Sequence, residues 1–285
     1  MNFLDLSIPK KNTGNDIVIW PVEVDLTTSW KQGTSKGPKA IIEASRHIEL
    51  YDEELGFTLT ERLGGLRTIE TYESTATPEE TYEKLLSKCE KIIGREKRMI
   101  ALGGEHSITH PIVEAHKQLW PDVCVLQIDA HADLRETYKG SRHDHACPMK
   151  RLHDLGIHVT AVGIRSVDES EAQLLNTGLR KTFLDIEHNG QYSKITADII
   201  ESLPSEHVYI TIDLDGLDPA IVPAVGTPVP GGLQWYETLH LLKALGESKE
   251  IVGADVVELK PCKELHQSDM VAAQLVYKMI TYNWC

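Results

Sequence analysis

The sequence predicts a three-layer α/β domain, a central and mostly parallel sheet flanked by helices, with residues 1–285 forming a single unit. Three observations lead there. Apolar runs alternate with helix-period segments almost throughout the chain, the pattern of consecutive βαβ units. Individual runs such as "VCVLQIDAH" (123–131) are nearly continuous in apolar residues, as strands covered on both faces must be. No linker, repeat or low-complexity stretch divides the 285 residues, a length sufficient for one large core.

The elements follow in order. "DIVIWPVEV" (16–24) is strand-like, and "GPKAIIEASRHIELYD" (37–52) has helical spacing with Pro38 suited to a first turn. "TPEETYEKLLSKCEKII" (77–93) is amphipathic behind a Thr77 cap. "RMIALGG" (98–104) is a short buried strand ending in a glycine turn, and "SITHPIVEAHKQLW" (107–120) reads as a helix. After the 123–131 strand the alternation continues through 145–156, 158–165, 169–178, 181–187, 194–203, 207–215, 233–247, 250–259 and 266–282. The Pro/Gly-rich "GLDPAIVPAVGTPVPGG" (216–232) is a long loop after a strand, and loops of that length inside compact domains are usually functional.

Composition narrows the partners. The formal net charge is −14, which argues against nucleic acid and anionic membrane and suits a small cationic ligand. The five cysteines (89, 124, 147, 262 and 285) include no C-x-x-C and read as reduced thiols, with Cys124 and Cys147 buried. The N-terminal stretch lacks a basic region followed by an apolar one, and no run approaches a membrane span. The expected compartment is the cytoplasm.

The ionisable residues fall in a pattern. His106 lies just after "MIALGG"; Asp129, His131 and Asp133 end "VCVLQI"; Asp213 and Asp215 end "HVYITI"; Glu258 ends "IVGADVV". Open α/β sheets bind ligands at the carboxyl ends of their strands, so one cluster at one sheet edge accounts for all four. Strand period places Asp129, His131 and Asp133 on one face, and Asp213 with Asp215 likewise. Each group alone has a bland reading: His106 as a loop residue, Asp213 and Asp215 as a solvated strand end, His143 and His145 as surface histidines. Together they are costly unless a cation offsets their repulsion and desolvation. Carboxylates with imidazole and no thiolate suit hard-to-borderline ions such as Mn²⁺. Two ions sharing carboxylates neutralise the set better than one, and such a pair lowers the pKa of a water held between them. A hydrolase is expected.

"GGEHS" (103–107), "DAHADLR" (129–135), "DLDGLDPAIVPAVGTPVPGGL" (213–233) and "ADVVELKP" (254–261) resemble the ureohydrolase family of arginases and agmatinases, over nearly the whole chain. The resemblance implies the arginase-type fold and a binuclear Mn²⁺ site that hydrolyses a guanidinium to urea and an amine. By motif, His106, Asp129, Asp133 and Asp213 would hold one ion. Asp129, His131, Asp213 and Asp215 would hold the other, with Asp129 and Asp213 bridging. Asp133 would also accept a hydrogen bond from the attacking water. His145, rather than His143, matches the family's proton shuttle, and Glu258 matches its guanidinium-gripping glutamate. Homo-oligomers, trimers or hexamers, are implied as well.

The loop "LRETYKGSRHDHAC" and the serine at 166 depart from the arginase pattern and favour agmatine, cleaved to urea and putrescine. Aminopropylagmatine, guanidinobutyrate and arginine are the alternatives, with a metal-dependent deacetylase of the same fold and a non-catalytic relative as competing classes. Asp168 is the expected contact for the substrate's far end. Arg135 and Arg165, either of which could bind a carboxylate, are expected to pair with acidic neighbours and face away. Glu105, where the family commonly has Asp, is expected to act from behind the site.

Overall fold

A computed structural model describes residues 1–11, 15–74, 77–94 and 97–285; residues 12–14 of the N-terminal stretch discussed above lie outside them. Its strands are β1 (Asp16–Glu23), β2 (Tyr51–Asp52), β3 (Phe57–Thr58), β4 (Gly65–Thr68), β5 (Tyr72–Glu73), β6 (Lys97–Gly103), β7 (Cys124–Ile128), β8 (Val159–Ile164), β9 (Arg180–Leu184), β10 (His207–Asp213) and β11 (Glu250–Val257). Strands β2 and β3 pair antiparallel by themselves. The other nine form one sheet in the order β4-β1-β6-β11-β10-β7-β8-β9, with β5 on β1, and all its strand pairings are parallel.

Alternation along the strands builds the three layers. In β1, Ile17 and Ile19 enter one core while Val18, Trp20 and Val22 enter the other, as a period of two requires. The first core is closed by the helices Gly37–Ser45, Tyr192–Glu201, Trp235–Ser248 and His266–Trp284, through residues such as Ile41, Ile199, Leu242 and Val276. The second is closed by Pro78–Ile92, Thr109–Leu119 and Pro148–Asp154, through Leu85, Ile112 and Leu152. Thr77 caps the first of these, its hydroxyl oxygen accepting from the Glu80 amide at 3.2 Å. No helix among the described residues is long and apolar enough to cross a membrane.

Some elements are shorter than their sequence patterns. The helix expected over 37–52 stops at Ser45, whose buried hydroxyl accepts from the Leu4 amide and donates to the Ile42 carbonyl. That bond ties up a helix carbonyl locally, and the chain then turns into β2. The 169–178 segment keeps one helical turn, Glu169–Ala172. Past β9, residues Asp185–His188 form a helical turn where the strand pattern ran on to 187.

Strands β6 and β7 are consecutive in this sheet's chain path, yet β11 and β10 lie between them. The chain winds outward through β7, β8 and β9, then returns to fill the gap. This reversal opens a crevice at the carboxyl ends of β6, β11, β10 and β7, which are the four strands whose ends carry the ionisable residues.

The 216–232 loop borders that crevice, and Arg165 fastens it. Its guanidinium donates to the carbonyls of Gly163, Asp215, Gly216, Leu217 and Val229 at 2.6–3.3 Å. Arg165 therefore turns away from the crevice, as expected, but its partners are backbone carbonyls rather than acids. Arg165→Met leaves those carbonyls without their charged donor and should destabilise the fold by about 2–4 kcal/mol. Urea denaturation checks this; a loss below about 1 kcal/mol would contradict the role.

Candidate metal centre

Four strand ends supply the cluster. Beyond β6 the chain turns at Gly104, where any Cβ would collide with the Val24 carbonyl oxygen, and places His106 in a short 3-10 turn. Asp129 follows β7 directly, Asp213 is the last residue of β10, and Glu258 follows β11. The 3-10 turn Leu214–Gly216 brings Asp215 back beside Asp213, whose side chain accepts from the Asp215 amide at 2.9 Å. Gly216 is required there, since a Cβ would sit 2.6 Å from the Asp129 amide nitrogen.

The convergence does not come from strand period, as the spacing suggested. β7 stops at Ile128, and its β10 partner ends one residue later at Asp213. Only the β8 flank carries on: the Asp129 amide bonds the Val162 carbonyl, the Arg165 and Ser166 amides share the Ala130 carbonyl, and His131 bridges Ser166. The chain then turns at Asp133, in the left-handed region with φ 51°, where its carbonyl accepts from the Met149 and Lys150 amides opening the next helix. Glu258 is left-handed too, at φ 66°, with its amide bonded to the Gly104 carbonyl at 2.7 Å. Non-glycine residues held this way carry strain that surrounding structure must sustain, and such strain clusters at functional sites.

The resulting geometry is compact. His106 Nδ1 lies 3.2 Å from Asp129 Oδ2, 3.0 Å from Asp133 Oδ2 and 3.4 Å from Asp213 Oδ2. It is buried and makes no well-formed hydrogen bond to any of them. His131 Nδ1 lies 3.1 Å from Asp215 Oδ2 and 3.8 Å from Asp129 Oδ1. Two sets of donor atoms, from His106, Asp129 and Asp213 and from Asp129, His131 and Asp215, each fall within 4.8 Å. An orphaned imidazole nitrogen facing three carboxylates fits a cation between them, and the carboxylate-rich donor set suits Mn²⁺ or Mg²⁺ better than a thiophilic ion. Asp129, common to both sets, has the position of a shared ligand.

Electrostatics point the same way. Burial and the charge of Asp133 push the Asp129 carboxyl up to about 6. Burial and the charges of Asp215 and Asp129 push Asp213 well above the carboxylate range. For Asp215, burial is outweighed by the neighbouring His131, which holds it at about 2. The cluster resists full ionisation by itself, which a divalent ion would relieve.

Buried groups behind the cluster hold it in place. His106 Nε2 is 2.9 Å from Thr211 Oγ1, and Thr211 donates to Asp255 at 2.6 Å. With Thr211 already donating to Asp255, Nε2 is the nitrogen that must carry a proton, and Nδ1 is the one left to serve as a ligand atom toward the carboxylates. Gln127 donates to Asp129 Oδ2 at 2.7 Å and accepts from the buried Arg180 at 3.0 Å. Glu105 accepts from the amides of Leu26 and Thr27 and from the hydroxyls of Thr27 and Ser107 at 2.6–2.9 Å, tying the 26–29 segment to the site. Asp255 and Arg180 had a sequence signal, as charges inside or opening apolar strands. Thr27, Ser29 and Thr211 had none.

Glu258 and His145 face one cavity of about 210 Å³, with His106, His131, Asp133, Asp168, Asp213 and Asp215 also in its wall. Glu258 Oε1 accepts from the His106 amide at 2.8 Å, and burial pushes its carboxyl up to about 8. His145 Nε2 is 2.9 Å from Ser29 Oγ; its Nδ1 is 3.2 Å from Thr27 Oγ1 and 3.1 Å from Asp144. Burial opposes its charge, but Asp144 and Glu258 prevail and raise it to about 9. His143 lies elsewhere, its ring stacked on Tyr82 at 4.3 Å. Asp168 caps the Glu169–Ala172 turn and pairs with Arg135 at 3.1 Å. Arg135 has the acidic partner expected of it, but its side chain lines the cavity rather than facing away. The reason is Asp168 itself, which lines the same cavity and draws the guanidinium to it.

A three-layer parallel α/β fold with an acidic, imidazole-bearing cluster at its switch point defines a candidate metallohydrolase. The family model described as Arginase family matches residues 15–281, and the chain belongs to that family. It is similar to an N(1)-aminopropylagmatine ureohydrolase of Synechocystis sp., 36% identical over 271 residues that cover 93% of this chain and 88% of that protein. An agmatinase of Halalkalibacterium halodurans is 31% identical over 276 residues, 94% of this chain and 91% of that protein. The crystal structure of the agmatine ureohydrolase of Thermoplasma volcanium matches at TM-score 0.83 and 32% identity, covering 97% of this chain and 94% of that one. The chain is a ureohydrolase with the arginase-type fold, a hydrolase of C–N bonds in guanidino compounds.

If the cluster binds divalent ions, they bind only the folded state and should raise its melting temperature. Added Mn²⁺ should stabilise the protein by several degrees in a thermal melt, and Asp129→Asn should abolish most of that gain. An equal gain in the variant would contradict the shared position of Asp129.

Proposed function

We propose that the chain hydrolyses agmatine-type guanidines to urea and an amine, using two Mn²⁺ ions held by His106, Asp129, His131, Asp133, Asp213 and Asp215. The observation that carries this reading is the cavity wall. It joins the orphaned His106 Nδ1 and its carboxylates to Glu258, a buried carboxylate suited to a guanidinium. Among the described residues, neither Arg135 nor Arg165 stands unpaired as a carboxylate clamp: Arg165 bonds backbone carbonyls and Arg135 pairs with Asp168. Asp168, Glu171 and Tyr138 line the same cavity and suit a cationic tail. N1-aminopropylagmatine stands beside agmatine as substrate, because the Synechocystis relative named for it is the more similar of the two curated relatives above.

In this reading Glu258 grips the guanidinium and turns its carbon toward the cluster. The ions, when bound, lower the pKa of water so that a nucleophile is available at neutral pH. Asp133 accepts the proton released as the tetrahedral centre forms. His145, charged at neutral pH and positioned by Thr27, Ser29 and Asp144, gives a proton to the departing amine.

A urea-release assay with Mn²⁺ tests the substrate. Agmatine and N1-aminopropylagmatine should be hydrolysed roughly a thousandfold or more better than arginine in kcat/KM, since burying an unpaired carboxylate costs several kcal/mol. Comparable rates on arginine, or a preference for guanidinobutyrate, would overturn the assignment while leaving the chemistry intact.

The pH profile tests His145. Its acid form is present below about 9 and lost above it, so kcat should rise from neutral pH and fall as pH passes about 9. Asp144→Asn removes a partner that raises this group, and should move the falling limb toward acid. A limb that stays in place would show that His145 is not the proton donor.

A further inference from the structure

We propose that Arg135 is a displaceable plug: its guanidinium occupies the seat on Asp168 that the distal ammonium of an agmatine-type substrate takes. Asp168 then favours guanidines with a second positive charge, and Arg135 tempers that preference by competing for the same carboxylate. This rests on the cationic-tail reading above.

Arg135 follows two residues after Asp133, and its backbone is fixed. The Leu134 amide donates to Glu171 Oε1 at 2.7 Å, and the Arg135 amide donates to the Ala146 carbonyl at 3.1 Å. From there the side chain spans to the loop carrying Asp168. Nη2 lies 3.1 Å from Asp168 Oδ2, and the guanidinium carbon stands 4.7 Å from the centre of the Tyr138 ring. Arg135, Tyr138, Asp168 and Glu171 all line the cavity that contains Glu258.

Two features make the plug removable. The pair is about one-third exposed on each side, 33% and 36%, and exposed pairs of this kind are weak. The ion pair is also the side chain's single polar tether among the described residues, whereas Arg165 holds five carbonyls. Asp168 does not depend on Arg135 for its place. Its other oxygen, Oδ1, accepts from the Ser170 amide at 3.0 Å and the Ser170 hydroxyl at 2.6 Å. When Arg135 swings out, a fixed carboxylate beside an aromatic face remains, a combination that binds an alkylammonium by charge and cation–π attraction.

A neutral tail gains nothing from opening this seat. A cationic tail gains Asp168 but must displace a cation to reach it. Removing Arg135 should therefore help cationic substrates alone.

The experiment measures KM for agmatine and for butylguanidine, the same guanidine with an uncharged end, in Mn²⁺-loaded protein. Arg135→Gln should lower KM for agmatine about threefold, the scale of a weak exposed pair, and leave butylguanidine unchanged. Arg135→Lys keeps a cation on Asp168 and should stay near the unmodified value. In an Asp168→Asn background, Arg135→Gln should no longer lower KM for agmatine. A raised KM for agmatine in Arg135→Gln, or an equal change for butylguanidine, would overturn the plug. If the unmodified protein shows no preference for agmatine over butylguanidine, the cationic-tail reading falls and takes the plug with it.

Discussion

Asp129, Asp133, Asp213 and Asp215 are all buried, within reach of His106 and His131, and their mutual repulsion sets the terms for the rest of the molecule. Buried carboxylates in such numbers are not sustained by two imidazoles. Burial drives Asp129 and Asp213 upward while His131 draws Asp215 down, so the cluster divides its protons unevenly in the absence of other charge. The sheet makes this possible by bringing four strand ends together, and the backbone absorbs part of the cost at two left-handed residues, Asp133 and Glu258.

What holds the cluster from behind is as specific as the cluster. Thr211 and Asp255 orient His106; Gln127, itself oriented by Arg180, fixes Asp129; Glu105 ties down the segment that reaches His145. Thr211 bonds the His106 nitrogen turned away from the carboxylates, and Gln127 bonds the same Asp129 oxygen that faces His106, so both hold donor atoms in place, as a preorganised site requires. Arg165 does the same for the 216–232 loop by gathering its carbonyls. The two arginines next to the cavity thus have opposite characters, one locked by five carbonyls and the other held, among the described residues, by one partly exposed ion pair and the face of Tyr138.

The strands were legible because burial on both faces leaves apolar runs, and the cluster was legible because acids and imidazoles stand out at the ends of such runs. The order of the strands was not. Nothing local to "HVYITI" or "IVGADVV" says that β10 and β11 insert between β6 and β7; long-range packing decides it. The periodic argument for Asp129, His131 and Asp133 reached the right convergence by the wrong route, since β7 ends before them and a left-handed turn at Asp133 does the rest. The partners of His145 were out of reach for another reason: Thr27 and Ser29 lie 118 and 116 residues away in sequence. The pairing of Arg135 with Asp168 depends on the relative position of two loops, which no local pattern encodes.

The central claim is that two divalent ions balance this charge. Equilibrium dialysis of the protein against Mn²⁺, followed by metal quantification per chain and urea release on the same sample, tests it most directly. The account predicts two ions per chain at full activity. Full activity with one ion per chain, or activity with zinc and no activation by manganese, would contradict it.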